Sequence, residues 1–139
     1  MKVLIDTDVL LDVALDRAPF VDDSSAIIEW CQQTPGSALI AWHTVSNAYY
    51  ILRIAKSDAT GREFVADLLG FTAVASGDTE SVRQALTMRV SDFEDAMQVA
   101  AAMSVNADLI VTRNVADYRH TVIPALTPHE FLRRLTREK

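Results

Sequence analysis

Acidic and amide side chains are the residues of this sequence whose types and spacing could support chemistry. Asp6 ends the apolar stretch "KVLID", and the segment "SDFEDAMQVAAAMS" (91–104) begins with three acids in four residues before it turns apolar. A third group, Thr112, Asn114 and Asp117, follows the apolar run "DLIV". Oxygen atoms of carboxylates and amides are ligands of hard divalent cations, and such cations support phosphate chemistry.

Asp6 closes a β-like run that should be central and buried. A buried carboxylate requires a partner or a metal ion. The alternative is a helix-start acid, because Asp8 follows within the next turn and Thr7 is placed to cap that helix. Both interpretations of Asp6 stay open at this point.

The acids of segment 91–104 are not equivalent. We expect a helix in which Ser91 is the N-cap and Glu94 the N3 residue of a capping box, while Asp92 interacts with the helix dipole. These roles account for Asp92 and Glu94 without a ligand. Asp95 lies at the boundary of the apolar stripe, so it is either a further helix-start acid or a buried metal ligand.

The elements that must position these residues alternate along the chain. Short apolar runs predict five strands, and helical patterns lie between them. This order indicates an α/β fold of three layers (α/β/α) around a central, mostly parallel sheet of about five short strands, in one domain spanning residues 1–139. The predicted strands are "KVLID", "SALIAW", "FTAVAS", "DLIVT" and "VIPALT".

In such sheets, ligands bind beyond the carboxyl ends of the strands. Three strand–helix units each place an acid or an amide there, and clustered carboxylates repel one another unless a cation lies between them. An all-oxygen set favours Mg²⁺ or Mn²⁺, because Zn²⁺ prefers histidine or cysteine and the three histidines show no metal-ligand spacing. The sequence therefore predicts a hard-cation site.

Composition limits the classes of function. Half of the residues are hydrophobic and 23% are charged, which is typical of a globular protein. The net charge of −6 argues against a protein that coats nucleic acid, but not against a nuclease with metal-bound carboxylates. Neither a membrane span nor a signal peptide is predicted, and the single Cys31 fits a cytoplasmic location.

With these residues in view, the sequence resembles the PIN domain family over nearly its whole length. The resemblance implies a metal-dependent ribonuclease, as in the toxin half of VapBC-type toxin–antitoxin pairs. It also implies an RNA substrate, a small antitoxin partner and a homodimer. The matching pieces, in the family's order, are "VLIDTDVLLDVALDRAPF", "TVSNAYYILR", "DFEDAMQVAAA", "ADLIVTRNVADYR" and "IPALTPHEFL".

The resemblance also implies roles for single residues. Asp6 matches the family's first acid and Asp95 its third, while Asn114 and Asp117 match the polar pair at the fourth position. The implied catalytic residues are Asp6, Asp95 and Asp117, and the implied metal ligands are Asp6, Asp95, Asn114, Asp117 and Asn47. Two residues are implied to lie on the substrate side of the site. Thr112 would form a hydrogen bond with a carboxylate, and Arg113 would contact RNA phosphate.

One position departs from the family. The second acid is usually a Glu on the helix after the second strand, and the nearest match is Asn47, with no acid between Glu29 and Asp58. An amide brings no charge. The alternative function is therefore a weak or inactive PIN module that binds RNA or a protein partner without hydrolysis.

The sequence also bears on a second fold class and on the role of Trp42. A phospho-acceptor receiver domain is disfavoured, because the third predicted strand ends in "VAS" and no Lys lies between Lys56 and Lys139. Trp42 begins a helix beside the predicted site, and we expect it to pack in the core rather than to stack on a base.

Overall fold

A computed structural model describes residues 1–138 and has one central sheet of five strands. Its strands run in the order β3-β2-β1-β4-β5, and every pair is parallel. The expected three-layer α/β fold with five short strands is confirmed. The strands are β1 (Val3–Ile5), β2 (Ala38–Ala41), β3 (Thr72–Ala75), β4 (Leu109–Val111) and β5 (Ala125–Leu126).

Helices connect the strands and cover both faces of the sheet. A 3₁₀ turn, Val115–Tyr118, lies between β4 and β5. Within residues 1–138, no helix combines the length and the apolar character needed to cross a membrane. The helices are α1 (Thr7–Ala14), α2 (Val21–Gln33), α3 (Trp42–Ala55), α4 (Asp58–Leu69), α5 (Thr79–Thr87), α6 (Phe93–Ser104) and α7 (Pro128–Arg137).

Two buried clusters show why the sheet needs cover on both faces. Strand side chains alternate between the faces, so Val3 and Ile5 of β1 point one way and Leu4 the other. Val3 and Ile5 pack in a cluster with Ile27 of α2 and Phe131 of α7. Leu4 packs in a second cluster that includes residues of α6. Strands buried on both sides explain the continuous apolar runs in the sequence.

The parallel arrangement brings the carboxyl ends of the strands to one edge of the sheet. β1 lies between β2 and β4, and the backbone N–H of Asp6 donates to the carbonyl of Val111 at 2.9 Å. Asp6, Trp42 and Thr112 are the residues that directly follow β1, β2 and β4. This edge is where the fold class binds ligands.

Candidate metal site

Asp6 is held in place by neutral hydrogen-bond donors. It is only 4% exposed, and it is the N-cap of α1, so Thr7 is the first helical residue and not the cap we expected. Its Oδ1 accepts from the Thr7 backbone N–H at 2.7 Å and from Gln98 Nε2 at 3.3 Å. Its Oδ2 accepts from the Thr112 hydroxyl at 2.8 Å and from the Tyr118 hydroxyl at 3.0 Å. The expected bond from Thr112 to a carboxylate is present.

The start of α6 differs from the sequence interpretation by one residue. Asp92 is the N-cap, and its Oδ1 accepts from the backbone N–H groups of Glu94 at 2.8 Å and Asp95 at 3.3 Å. The predicted capping box from Ser91 to Glu94 is wrong, because Asp92 already satisfies those donors. The carboxylate of Glu94 is therefore not used in capping.

Instead, Glu94 faces the edge of the sheet. Its Oε1 lies 3.0 Å from His43 Nε2, and it accepts from Gln98 Nε2 at 3.1 Å and from Asn47 Nδ2 at 3.5 Å. Burial acts to raise the pKa of Glu94, but the hydrogen bonds from His43 and Gln98 outweigh it, and the pKa is lowered. Glu94 is thus favoured as an anion.

Asp6, Glu94 and Asp95 form a cluster of three carboxylates. Each offers an oxygen that lies within 4.8 Å of the others, a spacing at which one cation could contact all three. Burial raises the pKa of Asp6, and burial together with the charge of Asp6 raises that of Asp95 to about 7. Within residues 1–138, no Lys or Arg nitrogen lies within 4.0 Å of these carboxylates.

Two uncharged side chains tie the cluster together. The Tyr118 hydroxyl lies 3.0 Å from an oxygen of Asp6 and 3.0 Å from an oxygen of Asp95, although a phenol has only one proton to donate. Gln98 is fully buried and donates from Nε2 to both Asp6 and Glu94, while its Oε1 has no hydrogen-bond partner among the described residues. These donors stabilise the carboxylates without neutralising them.

The predicted polar residues converge on one open cavity of about 500 Å³ at this edge. Asn114 donates from Nδ2 to Asp8 Oδ2 at 3.4 Å, whereas Thr112 is buried beneath Asp6. Burial and the charge of Asp6 raise the pKa of Asp8 to about 7. The lining includes Asp6, Asn47, Glu94, Asp95, Asn114 and Asp117.

Arg113 is directed away from the carboxylate cluster. Its Nε lies 2.9 Å from Asp12 and 4.0 Å from Asp8, and its guanidinium lies over the Phe20 ring at 4.1 Å. Burial raises the pKa of Asp12 although Arg113 and Arg17 act to lower it. The guanidinium of Arg113 is thus engaged with internal groups, and its contact with RNA stays a prediction.

The family assignment follows from a match over most of the chain. The PIN domain model matches residues 2–116, which include β1, the start of α6 and the first residues after β4. The chain belongs to the PIN domain family. No curated protein matches the sequence.

Solved structures share the fold of this PIN domain at low sequence identity. VapBC2 from Rickettsia felis bound to a promoter DNA fragment matches at 12% identity and a TM-score of 0.72, covering 91% of this chain and 98% of that one. DNA-bound VapBC from Salmonella typhimurium matches at 17% identity and a TM-score of 0.71, covering 92% of this chain and 98% of that one. Mycobacterium tuberculosis VapC20, a toxin that cleaves the Sarcin-Ricin loop, matches at 13% identity and a TM-score of 0.64, covering 78% of this chain and 87% of that one.

Several residues around the PIN-domain site were missed by sequence reasoning. Glu94 was assigned to helix capping, and Gln98, Tyr118 and His43 were not singled out. Gln98 could have been found from the sequence, because it is a polar residue within an apolar helical run and lies four positions after Glu94, on the same side of the helix. The other two side chains reach the cluster from α3 and from the turn after β4, so only the folded chain reveals them.

Trp42 also differs from expectation. We expected it to pack in the core, but it is 70% exposed at the start of α3. The expectation was wrong because α3 begins directly at the end of β2, where the first residue lies at the edge of the sheet rather than under it.

Proposed function

We propose that this chain is a single PIN domain that hydrolyses RNA phosphodiester bonds with a divalent cation, Mg²⁺ or Mn²⁺. One observation carries the proposal: oxygens of Asp6, Glu94 and Asp95 lie within 4.8 Å of one another with no internal Lys or Arg among residues 1–138 to neutralise them. All-oxygen ligands suit Mg²⁺ and Mn²⁺. Raised pKa values at Asp6 and Asp95 indicate a charge that a cation would stabilise.

In this proposal, Glu94 supplies the acid that Asn47 lacks. Asn47 lies on α3, where the family usually has its second acid, and its Nδ2 is 3.5 Å from Glu94 Oε1. Glu94 lies on α6 beside Asp95 and brings the missing carboxylate to the same place. The departure at Asn47 therefore leaves the site with three carboxylates.

The chain's own residues would hold and orient the reacting groups. Asp6, Glu94 and Asp95 would ligate the cation, while Thr112 and Tyr118 fix the direction of Asp6 through Oδ2. When bound, such a cation lowers the pKa of a water molecule and neutralises charge on the phosphate. These contacts fix the carboxylates before substrate arrives.

The remaining polar residues of the cavity have supporting roles in the proposal. Asn47, Asn114 and Asp117 would act as secondary ligands or orient water at the cation. Asp117 has the one further carboxylate among these three, so it is the group that could accept a proton from water. Arg17 lines the same cavity and is better placed than Arg113 to contact phosphate.

We further propose that the domain is the toxin of a VapBC-like pair, with a small antitoxin partner and a homodimeric assembly. The support is the family membership together with the fold shared with toxin–antitoxin complexes. A toxin that cuts cellular RNA would act in the cytoplasm.

A second function, binding RNA or a protein without hydrolysis, is favoured by Asn47 alone. The two functions differ in the role of the cluster, because a binding module needs no cation. Restoring the family's acid with Asn47→Glu should raise metal affinity only where the rest of the cluster already binds the ion.

Purified protein incubated with RNA over a range of Mn²⁺ and Mg²⁺ concentrations tests the proposal. Asp6→Asn, Glu94→Gln and Asp95→Asn should each lower metal-dependent cleavage by more than about 100-fold, since even outer partners of metal ligands cost 10- to 100-fold. Glu63→Gln, the same change on the exposed face of α4, is the matched control. Absence of cleavage at every metal concentration, with RNA still retained, would instead support the binding module.

A further inference from the structure

A cavity of about 150 Å³ lies beside the carboxylate cluster, and Trp42 forms part of its wall. We propose that this cavity binds one pyrimidine base of single-stranded RNA, stacked on the indole ring of Trp42. The inference rests on the proposed function, because it assigns the base next to the phosphate that the cluster would cleave.

The cavity is located at the ligand-binding edge of the sheet. Trp42 directly follows β2, and Ala75, another lining residue, is the last residue of β3. Asp6 follows β1 at the same edge. The cavity and the carboxylate cluster are therefore neighbours along the carboxyl ends of adjacent parallel strands, where this fold class binds its ligands.

His43 contacts both the cavity and the carboxylate cluster. It lines the cavity, and its Nε2 lies 3.0 Å from Glu94 Oε1 in the cluster. The His43 side chain thus contacts both the cavity and the cluster, so a nucleotide with its phosphate at the cluster would have its base beside His43. Among residues 1–138, no hydrogen bond involves the second ring nitrogen of His43, which leaves it for the edge of a base.

The lining suits a flat, largely apolar ring. Met97, Ala100 and Ala101 of α6 supply apolar surface, and the Ser81 hydroxyl adds a polar group. A cavity of about 150 Å³ in a protein holds a benzene-sized ring. A single-ring pyrimidine fits this volume, whereas the second ring of a purine would lie outside it.

The exposure of Trp42 supports stacking. A tryptophan that is 70% exposed leaves most of its aromatic surface in water, although burial would have stabilised the fold. Bases stack on such rings in proteins that bind single-stranded nucleic acid, and this contact tolerates differences in sequence.

The other side of Trp42 borders a broader apolar groove between α3 and α4, of about 610 Å³, which Val45 and Leu69 also line. That groove is large enough for a protein segment. The smaller cavity favours a nucleobase because of its size and because His43 joins it to the cluster. Docking of a protein on Trp42 is the competing outcome of the test.

The indole N–H signals in an NMR spectrum report directly on this site. The chain has two tryptophans, so Trp42 is assigned by the signal lost in Trp42→Phe, and Trp30, which packs against the core, is an internal control. Without added metal, uridine and cytidine 5′-monophosphate should shift the Trp42 signal saturably and leave Trp30 unchanged. Ribose 5-phosphate should shift neither, and purine monophosphates should bind at least about tenfold more weakly.

Equal shifts with ribose 5-phosphate, or no shift of Trp42 with either pyrimidine nucleotide, would overturn the proposal. So would a Trp42→Ala variant that changes the oligomeric state, measured by light scattering, while nucleotide binding stays unchanged. That last result would assign Trp42 to a protein interface.

Cleavage kinetics provide the second readout. Trp42→Ala should raise the KM for single-stranded RNA by roughly 5- to 150-fold, the range expected for one lost base stack, and Trp42→Phe should restore most of it. Ile54→Ala, on an exposed apolar residue of the same helix, should leave KM unchanged. An unchanged KM in Trp42→Ala contradicts the base site.

The two proposals fail separately. RNA cleavage with no response at Trp42 leaves the nuclease intact and removes the base site. Pyrimidine shifts at Trp42 without cleavage at any metal concentration leave the base site and remove the nuclease.

Discussion

Two buried carboxylates near the amino end of the chain are stabilised in opposite ways. Asp12 is fully buried and has the guanidinium of Arg113 2.9 Å away, with Arg17 at 3.8 Å. Asp6 is 4% exposed and, among residues 1–138, accepts only from uncharged donors, including Thr112 at 2.8 Å. The described part of the chain thus provides an internal cation for Asp12 and none for Asp6.

In our proposal, this difference distinguishes an acid that stabilises the fold, Asp12, from an acid that would bind a cation, Asp6. A buried charge needs a partner, and the guanidinium meets that need at Asp12 within the chain itself. At Asp6, no Lys or Arg nitrogen lies within 4.0 Å among residues 1–138, and the carboxylates of Glu94 and Asp95 are its neighbours, so in our proposal the partner is a cation from solution. The same residue type in similar burial therefore carries different information about function.

The largest expected effect is a difference in the free energy of unfolding when the same substitution, Asp to Asn, is made at Asp12 and at Asp6. Asp12→Asn removes the nearer anionic partner of Arg113 and leaves only Asp8 at 4.0 Å, so it should lower the free energy of unfolding by about 3 kcal/mol. Asp6→Asn keeps an N-cap, since Asn caps as well as Asp, and it removes an uncompensated charge. We expect its unfolding free energy, measured by urea denaturation without metal, to be unchanged or higher. Equal losses in both variants would contradict the distinction.

The pH dependence of stability sharpens the comparison next. Two carboxyl groups have a pKa raised to about 7 from a usual value of 3.8: Asp95 in the carboxylate cluster and Asp8 beside Arg113. The folded state therefore retains protons that the unfolded state has lost, and these groups stabilise the fold at low pH. Without metal, the unfolding free energy should fall as the pH rises from about 5 to about 8.

Denaturation curves across this pH range, with and without Mn²⁺, measure the effect. Asp95→Asn should reduce the fall in stability, and saturating Mn²⁺ should offset the contribution of Asp95 while leaving that of Asp8. A metal-free stability that rises steadily over the same range would show that the signs are wrong.

Substitution of the neutral hydrogen-bond partners of Asp6 and Asp12 should have different effects on Mn²⁺ affinity. Gln98→Met removes a donor shared by Asp6 and Glu94, and we expect Mn²⁺ affinity of the folded protein to fall about 10- to 100-fold. Ser24→Ala removes the hydroxyl that lies 3.5 Å from Asp12 and should leave Mn²⁺ affinity unchanged. If Gln98→Met lowers only stability, with the same dissociation constant, Gln98 does not position the ligands.

The smallest effect is expected at Asn47. Its amide contacts Glu94 at 3.5 Å, a long hydrogen bond, so Asn47→Ala should weaken Mn²⁺ binding by only about 2- to 10-fold. Calorimetric titration measures this directly. A loss as large as that of an acid substitution would make Asn47 a principal ligand.

The sequence predicted the sheet and the polar residues that directly follow two of its strands. Apolar runs buried on both faces mark parallel strands, so the positions of Asp6 and Thr112 at the edge followed from the pattern alone. Asp95 was open between two roles, and its burial at the cluster shows that it lies among the other acids.

The rest of the site depended on contacts that no local pattern encodes. The choice between Ser91 and Asp92 as N-cap moves the helix start by one residue, and that shift decides whether Glu94 caps the helix or faces Asp6. Tyr118 reaches the cluster only because β4 lies next to β1. Local propensity describes helix ends within one or two residues, which is too coarse for a ligand set.

The most direct test of the central claim, that Glu94 completes a cation site with Asp6 and Asp95, is calorimetric titration of Mn²⁺ into Glu94→Gln. We expect its affinity to fall at least about tenfold relative to the unchanged protein, as in Asp95→Asn, while Glu63→Gln binds normally. Wild-type affinity in Glu94→Gln, measured on folded protein, would contradict the account and return Glu94 to a role in the helix alone.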